Sequence, residues 1–492
     1  MSFSEKEDFK LLKSEEDEGE VQGAFNQAME EAEKQLKVYP QRYIMAILYS
    51  FMALAISLQQ SMYSAEAEQI TIIYDTSKLV VSSNQLIHML LHFPLSFPAN
   101  YIVDKYGIKM GVLIAGVLLF LAGWVRCLVN VVGFGISIVG AVLVGTANPF
   151  IINSLNKVSA NWFYPSQRQG VTSFLSFFST VTGLAGMFIP GIWFGGFTCE
   201  IKDGEQNCDI DEGKRIMMSL SLVLAIIGSI LVVPCMLFFK EKPPTPPSFV
   251  DDEEREDFSI ALKVLAKDKN YILQSLIFAI YYGSFQDLAS FLSYILSPYN
   301  ITDPLYVALL SAIPIVSGIG GSVLTSIIIS KTQMYKRVNV FCMLGGIAGI
   351  VSFAILLQFE NWVLLIPSAL FLGFAIIPLI PSMTEWCCET SYPIGEPTVT
   401  GFLWAIAHIY AGTTGLAYTS ILENGSRGDV ILIIAIITAL FLVGLLLIFF
   451  VKAPLKRLQA EREKGQQQKQ LGTFSNSDNN KDFEEESNFS GQ

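Results

Sequence analysis

Histidine is scarce: 492 residues carry three, His88, His92 and His408. The seven cysteines show no metal-ligand spacing, and the chain has neither a phosphate loop nor a nucleophile motif. These absences exclude most metal and nucleophilic catalysis, so neither enzyme activity nor a cofactor is expected. Charge is scarce as well. Only 15% of residues are Asp, Glu, Lys or Arg against 52% apolar, an imbalance too large for a water-soluble core to hide. No nucleic-acid partner is expected. The long apolar runs also lack the polar/apolar alternation of a transmembrane barrel, which leaves helices as the way to satisfy backbone groups in lipid.

Twelve apolar segments are there, each about 20 residues or more, the length that crosses a bilayer core of roughly 30 Å. They cover 43–65, 82–103, 110–129, 134–158, 170–194 and 215–239, then 271–296, 305–329, 338–359, 362–383, 398–422 and 430–451. The expected fold is therefore an all-α membrane protein of two six-helix bundles, at 43–239 and 270–451, joined by a linker at 240–269. Short loops with Lys105, Lys109, Lys157, Arg168, Lys331, Lys336 and Arg337 fall on one side, which predicts that both termini are cytosolic. The sequons at Asn300 and Asn424 then lie on the opposite side, together with Cys199 and Cys208, a candidate disulfide. The other cysteines read as packing residues.

The formal charge of −12 owes half its excess to the start of the tail 1–42, where residues 1–37 hold eleven acids and five lysines. Such a run is expected to be solvated and disordered, like the polar tail 452–492. Within the first tail, Glu7 precedes Leu11-Leu12 in the arrangement of endosomal and lysosomal sorting signals. The membrane is thus either the plasma membrane or an endosomal or lysosomal one. The linker opens with Pro243-Pro244-Thr245-Pro246-Pro247, which cannot be helical, and closes on 258–265, whose apolar spacing suits a short amphipathic helix.

Two six-helix bundles with a long central loop describe the major facilitator superfamily, and Asn100-Tyr101-Ile102-Val103-Asp104-Lys105-Tyr106-Gly107-Ile108-Lys109 resembles that superfamily's G-x-x-x-D-x-x-G-R-K loop. Phe97-Pro98-Ala99, Gly123-Trp124-Val125-Arg126-Cys127 and Trp162-Phe163 narrow the resemblance. With Glu385, Glu389, Tyr392-Pro393 and Glu396, which fit an E-x-x-x-E-x-x-Y-P-x-x-E loop, they resemble the feline leukaemia virus subgroup C receptor-related family, solute carrier family 49. The resemblance implies a carrier of choline and ethanolamine, of haem, or of a vitamin such as pyridoxine. It implies gating at Asp104, Gly107, Lys109, Glu385, Glu389 and Glu396. It also exposes departures. A first-helix Trp that cradles quaternary ammonium in the family's choline carriers is Gln60 here, and two family glutamines are Thr180 and His408.

Polar side chains inside membrane helices are costly and hence candidates for function. Asp287 stands midway along the seventh segment and needs a partner, a proton or a cationic substrate; Arg126 is one structural partner to weigh. The expected substrate site comprises Gln60, Tyr63, Thr180, Tyr282, Gln286, Asp287, Trp404 and His408, with Tyr281 as a further aromatic wall. His88, His92, Asp287 and His408 are the candidates for proton coupling, the alternative for His88 and His92 being plain hydrogen bonding between helices. The expected partners are a small solute, a proton and the bilayer, and the expected state is a monomer. The function so read is transport by alternating access of a small organic solute such as ethanolamine, choline or pyridoxine. Haem transport is the alternative within the family, and a non-transporting receptor or sensor on a carrier scaffold is the alternative outside it.

Overall fold

The computed structural model describes residues 39–163, 165–197, 201–202, 205–206, 209–244, 258–452, 454–457 and 459. The Leu-Leu pattern, Cys199, Cys208, most of the linker and nearly all of the C-terminal tail lie outside these residues, as do the side chains of Asp104, Thr180 and Glu396. Apart from a two-residue hairpin, β1 (Ile201–Lys202) with β2 (Glu205–Gln206), the described elements are helical. The first half comprises α1 (Gln41–Gln60), α2 (Ala67–Ile73), α3 (Lys78–Tyr106), α4 (Ile108–Arg126), α5 (Val129–Val132), α6 (Ile136–Ile152), α7 (Leu155–Trp162), α8 (Pro165–Trp193) and α9 (Ile210–Phe238). After a short helix α10 (Phe258–Leu265) come α11 (Lys269–Phe278), α12 (Ser284–Ser290), α13 (Leu292–Leu296), α14 (Pro304–Thr332), α15 (Tyr335–Leu357), α16 (Trp362–Ile376), α17 (Leu379–Ser391), α18 (Glu396–Ile421) and α19 (Arg427–Phe450).

Among the described residues, eight helical stretches are long and apolar enough to cross a membrane: α1, α3, α4, α9, α14, α15, the α16–α17 pair and α19. The other four expected crossings fall on broken or less apolar helices, α6–α7, α8, α11–α13 and α18, so the count of twelve is consistent with the fold. Large apolar side chains cover the outside: Phe341 is 74% exposed and Leu237 68%. Water would not tolerate a belt of that extent, and a bilayer covers it. Many helices start on a side-chain cap that satisfies orphan N–H groups, Asp209 at α9, Asp268 at α11, Asp303 at α14 and Ser426 with Asp429 at α19.

Three expected boundaries need correction. The first span does not stop at residue 65: the chain breaks at 61–66 and resumes as α2, so residues that look like a polar loop are packed inside. The tenth span runs on through α17, which puts Glu385 and Glu389 on a helix rather than in a loop. The seventh is interrupted by a π-helical segment, Ala279–Gly283, and again at Phe291. A π turn inserts one residue into the helical phase, and such bulges cluster at functional sites.

The two halves meet where α3 packs on α18 and α8 on α14. Glycine makes these approaches possible: a Cβ on Gly412 would stand 2.5 Å from Leu90 Cδ2. At one face the carbonyls of Phe449 and Val451, at the end of α19, accept from Lys336 Nζ, and Arg42 near the start of α1 bonds Gln167 near the start of α8. This is the terminal face. At the opposite, distal face, bonds cross between the halves: the Glu68 amide donates to Ser293 Oγ (3.3 Å), Thr71 and Tyr294 hydroxyls meet at 3.2 Å, Gln69 Nε2 donates to the Thr302 carbonyl, and Lys78 Nζ to the Leu422 carbonyl (3.0 Å). These bonds close the distal end. Nearby, Arg427 and Asn300 both donate to Glu360, which holds its carboxyl below the usual range. That contribution is present above the ordinary carboxylate range and fades as pH falls through it.

Candidate functional site

Four of the residues that sequence reasoning grouped at one site, Gln60, Tyr282, Trp404 and His408, lie near one another where the halves meet. α18 presents Trp404 and His408 one helical turn apart, and His408 Nδ1 lies 2.8 Å from the Trp404 carbonyl. The rings build a cluster with Phe278 and Tyr282 of the neighbouring helix: Phe278 and Tyr282 stack at 5.5 Å, and Tyr282 meets Trp404 edge-on at 4.8 Å. From the other half, His92 of α3 stacks on His408 at 4.5 Å. One turn away along α3, His88 Nε2 is 2.6 Å from the Gln60 side-chain amide, where α1 ends. The close approach of α6 to His88 requires Gly145, since a Cβ there would lie 2.9 Å from the His88 Cα. Gln60, Tyr282 and Trp404 are half-buried, while Phe278 and the three histidines are buried. Such an arrangement can hold an apolar cation by its ring faces.

Asp287 occupies the next layer. Its Oδ2 accepts from Thr414 Oγ1 at 2.6 Å, while Oδ1 has no hydrogen-bond partner and the residue is 1% exposed. Thr414 follows His408 by six residues, about 9 Å along the helix, which places the carboxyl on the distal side of the ring cluster. Thr414 escaped sequence reasoning; its place on the same helix as His408 was the signal available.

The remaining candidates separate from this site. Tyr63 is buried against Phe134 (5.3 Å) and under the Arg126 guanidinium (5.3 Å), inside the first bundle. Tyr281 turns away: it stacks on Phe441 at 4.3 Å and donates to the Phe441 carbonyl at 2.7 Å. Arg126 does not pair with Asp287; it donates to the Gln59 carbonyl, and no ion pair joins the two residues among those described. The main-chain oxygen of Gln286 accepts from Ser290. Other polar residues bond across helices, Gln59 to the Leu119 carbonyl, Asn84 to Ser137, Ser64 to Gln85 and Asn153 to Asn100. Cys127, Cys235, Cys342, Cys387 and Cys388 are buried.

At the terminal face, Gly107 alone joins α3 to α4, with φ +91° and ψ 166°. Glu241, which sequence reasoning passed over, sits there: its Oε2 accepts from the Lys109 amide at 2.6 Å and would touch any Cβ on Gly107. An acidic group at a helix start is favoured by the helix dipole. Replacing Gly107 by Ala is therefore expected to cost about 1–3 kcal/mol, the worth of a backbone conformation open essentially to glycine alone. Thermal unfolding in detergent would register it. Glu385 and Glu389 end up beside Tyr335 at the start of α15.

The family model described as Major Facilitator Superfamily matches residues 45–415. Among similar proteins, an uncharacterized MFS-type transporter of Caenorhabditis elegans is 26% identical over 445 residues, 88% of this chain and 73% of its own. The choline/ethanolamine transporter FLVCR1 of Mus musculus is 23% identical, covering 85% and 76%, and the choline/ethanolamine transporter FLVCR2 of Homo sapiens 22%, covering 87% and 80%. Of solved structures, a bacterial homologue of the human lysosomal transporter Spinster, inward-facing and unoccupied, superposes with a TM-score of 0.63 at 13% identity. It covers 85% of this chain and all of that one. The transporter FucP in the outward conformation gives 0.55 at 15%, covering 83% and 99%. These structures share the fold.

Proposed function

Because the chain belongs to the major facilitator superfamily, we propose that the solute it carries is a small organic amine of the choline and ethanolamine class, moved by rocking of the two bundles. The protein is a multi-pass membrane carrier of a small organic solute and not an enzyme. Its relatives' names point to the amine. What supports the assignment is the ring cluster of Phe278, Tyr282 and Trp404, with the buried Asp287 carboxyl one layer further along α18. Aromatic faces attract an ammonium group, and a carboxylate one layer away supplies its counter-charge. Trp404 thereby replaces the first-helix Trp whose place Gln60 occupies. A proton on Asp287 or His408 would couple transport to pH. We place both termini in the cytosol, from the loop cations, and the chain in the plasma membrane or an endosomal or lysosomal membrane, acting as a monomer.

The test is uptake of labelled choline, ethanolamine and pyridoxine into proteoliposomes. Saturable uptake of an amine is expected. Trp404→Ala should raise its KM about tenfold, equivalent to the ~1–2 kcal/mol of a partly desolvated cation–π contact. Absence of saturable amine uptake by folded protein overturns the assignment.

A further inference from the structure

A second buried carboxyl lies outside the ring cluster. Glu66 stands in the break between α1 and α2, is 0% exposed, and neither of its oxygens has a hydrogen-bond partner apart from its own main-chain amide. Its neighbourhood is the contact that closes the distal face. The next residues, Ala67 to Thr71, make the cross-bundle bonds to Ser293, Tyr294 and Thr302. An ionised carboxylate cannot be kept there without a partner, since nothing replaces its lost hydration. Parting of α2 from α13 would readmit water and remove that penalty.

Among the described residues no ion pair joins a cation to Glu66. On its own segment Tyr63 is near, and beyond that ring lie Arg126 at the end of α4 and Cys127 just after it. Arg126 donates from one terminal nitrogen to the Gln59 carbonyl and lies over the Tyr63 ring, and its Nε has no hydrogen-bond partner. From α3, Lys78 reaches Glu68 at 3.8 Å and the Leu422 carbonyl, and lies over Tyr294 of α13. Glu423 acts on Tyr294 from the end of α18. At the start of α9, which packs on α2, Arg215 is with Asp209, Lys214 follows Asp211 and Glu212, and the Lys214 carbonyl bonds Asn130.

We propose that Glu66 is a proton-binding site of the distal gate, loaded while α2 is docked on α13 and emptied when the two separate. This rests on the rocking carrier described above, yet is independent of which solute is carried. Acidity on the distal side then drives the gate shut, and closing the gate takes up one proton. Asp287 is a separate carboxyl within the second bundle, bonded to Thr414.

Distances between spin labels on the distal ends of α3 and α18, measured by double electron–electron resonance in nanodiscs from pH 5 to 8, test this without any substrate. The open-to-closed ratio of the wild type is expected to rise with pH, by at most about tenfold per unit for one linked proton. Glu66→Gln should stay closed throughout, while Glu68→Gln keeps the pH response. A response that persists in Glu66→Gln, or its absence in the wild type, overturns the proposal. Should Glu66→Gln fail to fold, the infrared C=O band of a protonated carboxyl decides: a band that moves between wild type and Glu66→Asp supports it, and no such band overturns it. Failure of amine uptake would leave these readouts intact.

Discussion

Replacing Asp287 by Asn should lower amine uptake by about a hundredfold, the equivalent of ~2.7 kcal/mol. The carboxyl is 1% exposed, keeps one oxygen for Thr414 and leaves the other unpaired. An isosteric amide retains the shape and can still accept from Thr414, so packing changes little. What disappears is the negative charge that an ammonium ion would meet in a site with no other acid in contact. Losing one member of a buried charge pair costs about 2–5 kcal/mol. Thr414→Val, which removes a hydrogen bond but no charge, should have a much smaller effect. Uptake in proteoliposomes, measured with protein of verified folding, distinguishes the two. Full uptake by Asp287→Asn would assign the carboxyl a structural role.

Gly373→Val is expected to be the most damaging glycine substitution, lowering stability by about 3 kcal/mol or more. A Cβ at this position in α16 would collide with the Cα, carbonyl carbon and oxygen of Pro314 in α14, all main-chain atoms. A side chain can swing aside; a helix backbone must move as a body, and overpacking of this kind costs roughly 1–3 kcal/mol even where neighbours yield. Gly320 of α14 is the internal control, with nothing within 4 Å of a Cβ built there. Gly320→Ala should be neutral or stabilise by up to ~1 kcal/mol through helix propensity. Melting curves of the two variants in the same detergent provide the comparison.

Much of this was legible from residue types alone. Apolar length marked the crossings, because a bilayer imposes nearly the same requirement on every span. His408, Trp404, Tyr282 and Gln60 were singled out as polar or aromatic intrusions, and they do lie together across the interface. What failed was phase and continuity. Ser64-Ala65-Glu66-Ala67-Glu68 looks like a polar exit from the membrane, and only the packing of α2 against α13 shows that it is interior. Tyr63 and Tyr281 were credited to the site because each stands near a residue that belongs there, yet one residue of helix is a turn of roughly 100°. Glu241 was invisible for another reason: its partner, the Lys109 amide, is 132 positions away in the chain.

The π-helical insertion at Ala279–Gly283 has a consequence for how such a site could arise. It works as a one-residue clutch. Upstream of it Phe278 engages Tyr282 and Trp404; downstream Asp287 engages Thr414. Were the segment to close into ordinary pitch with all its residues kept, everything beyond it would turn by roughly 100° and Asp287 would leave α18. Deleting one residue within 279–283 as the pitch closes would instead keep Asp287 in phase. A lineage that gained or lost this residue would therefore alter the segment itself, Tyr282 included, and leave both flanking helices where they are.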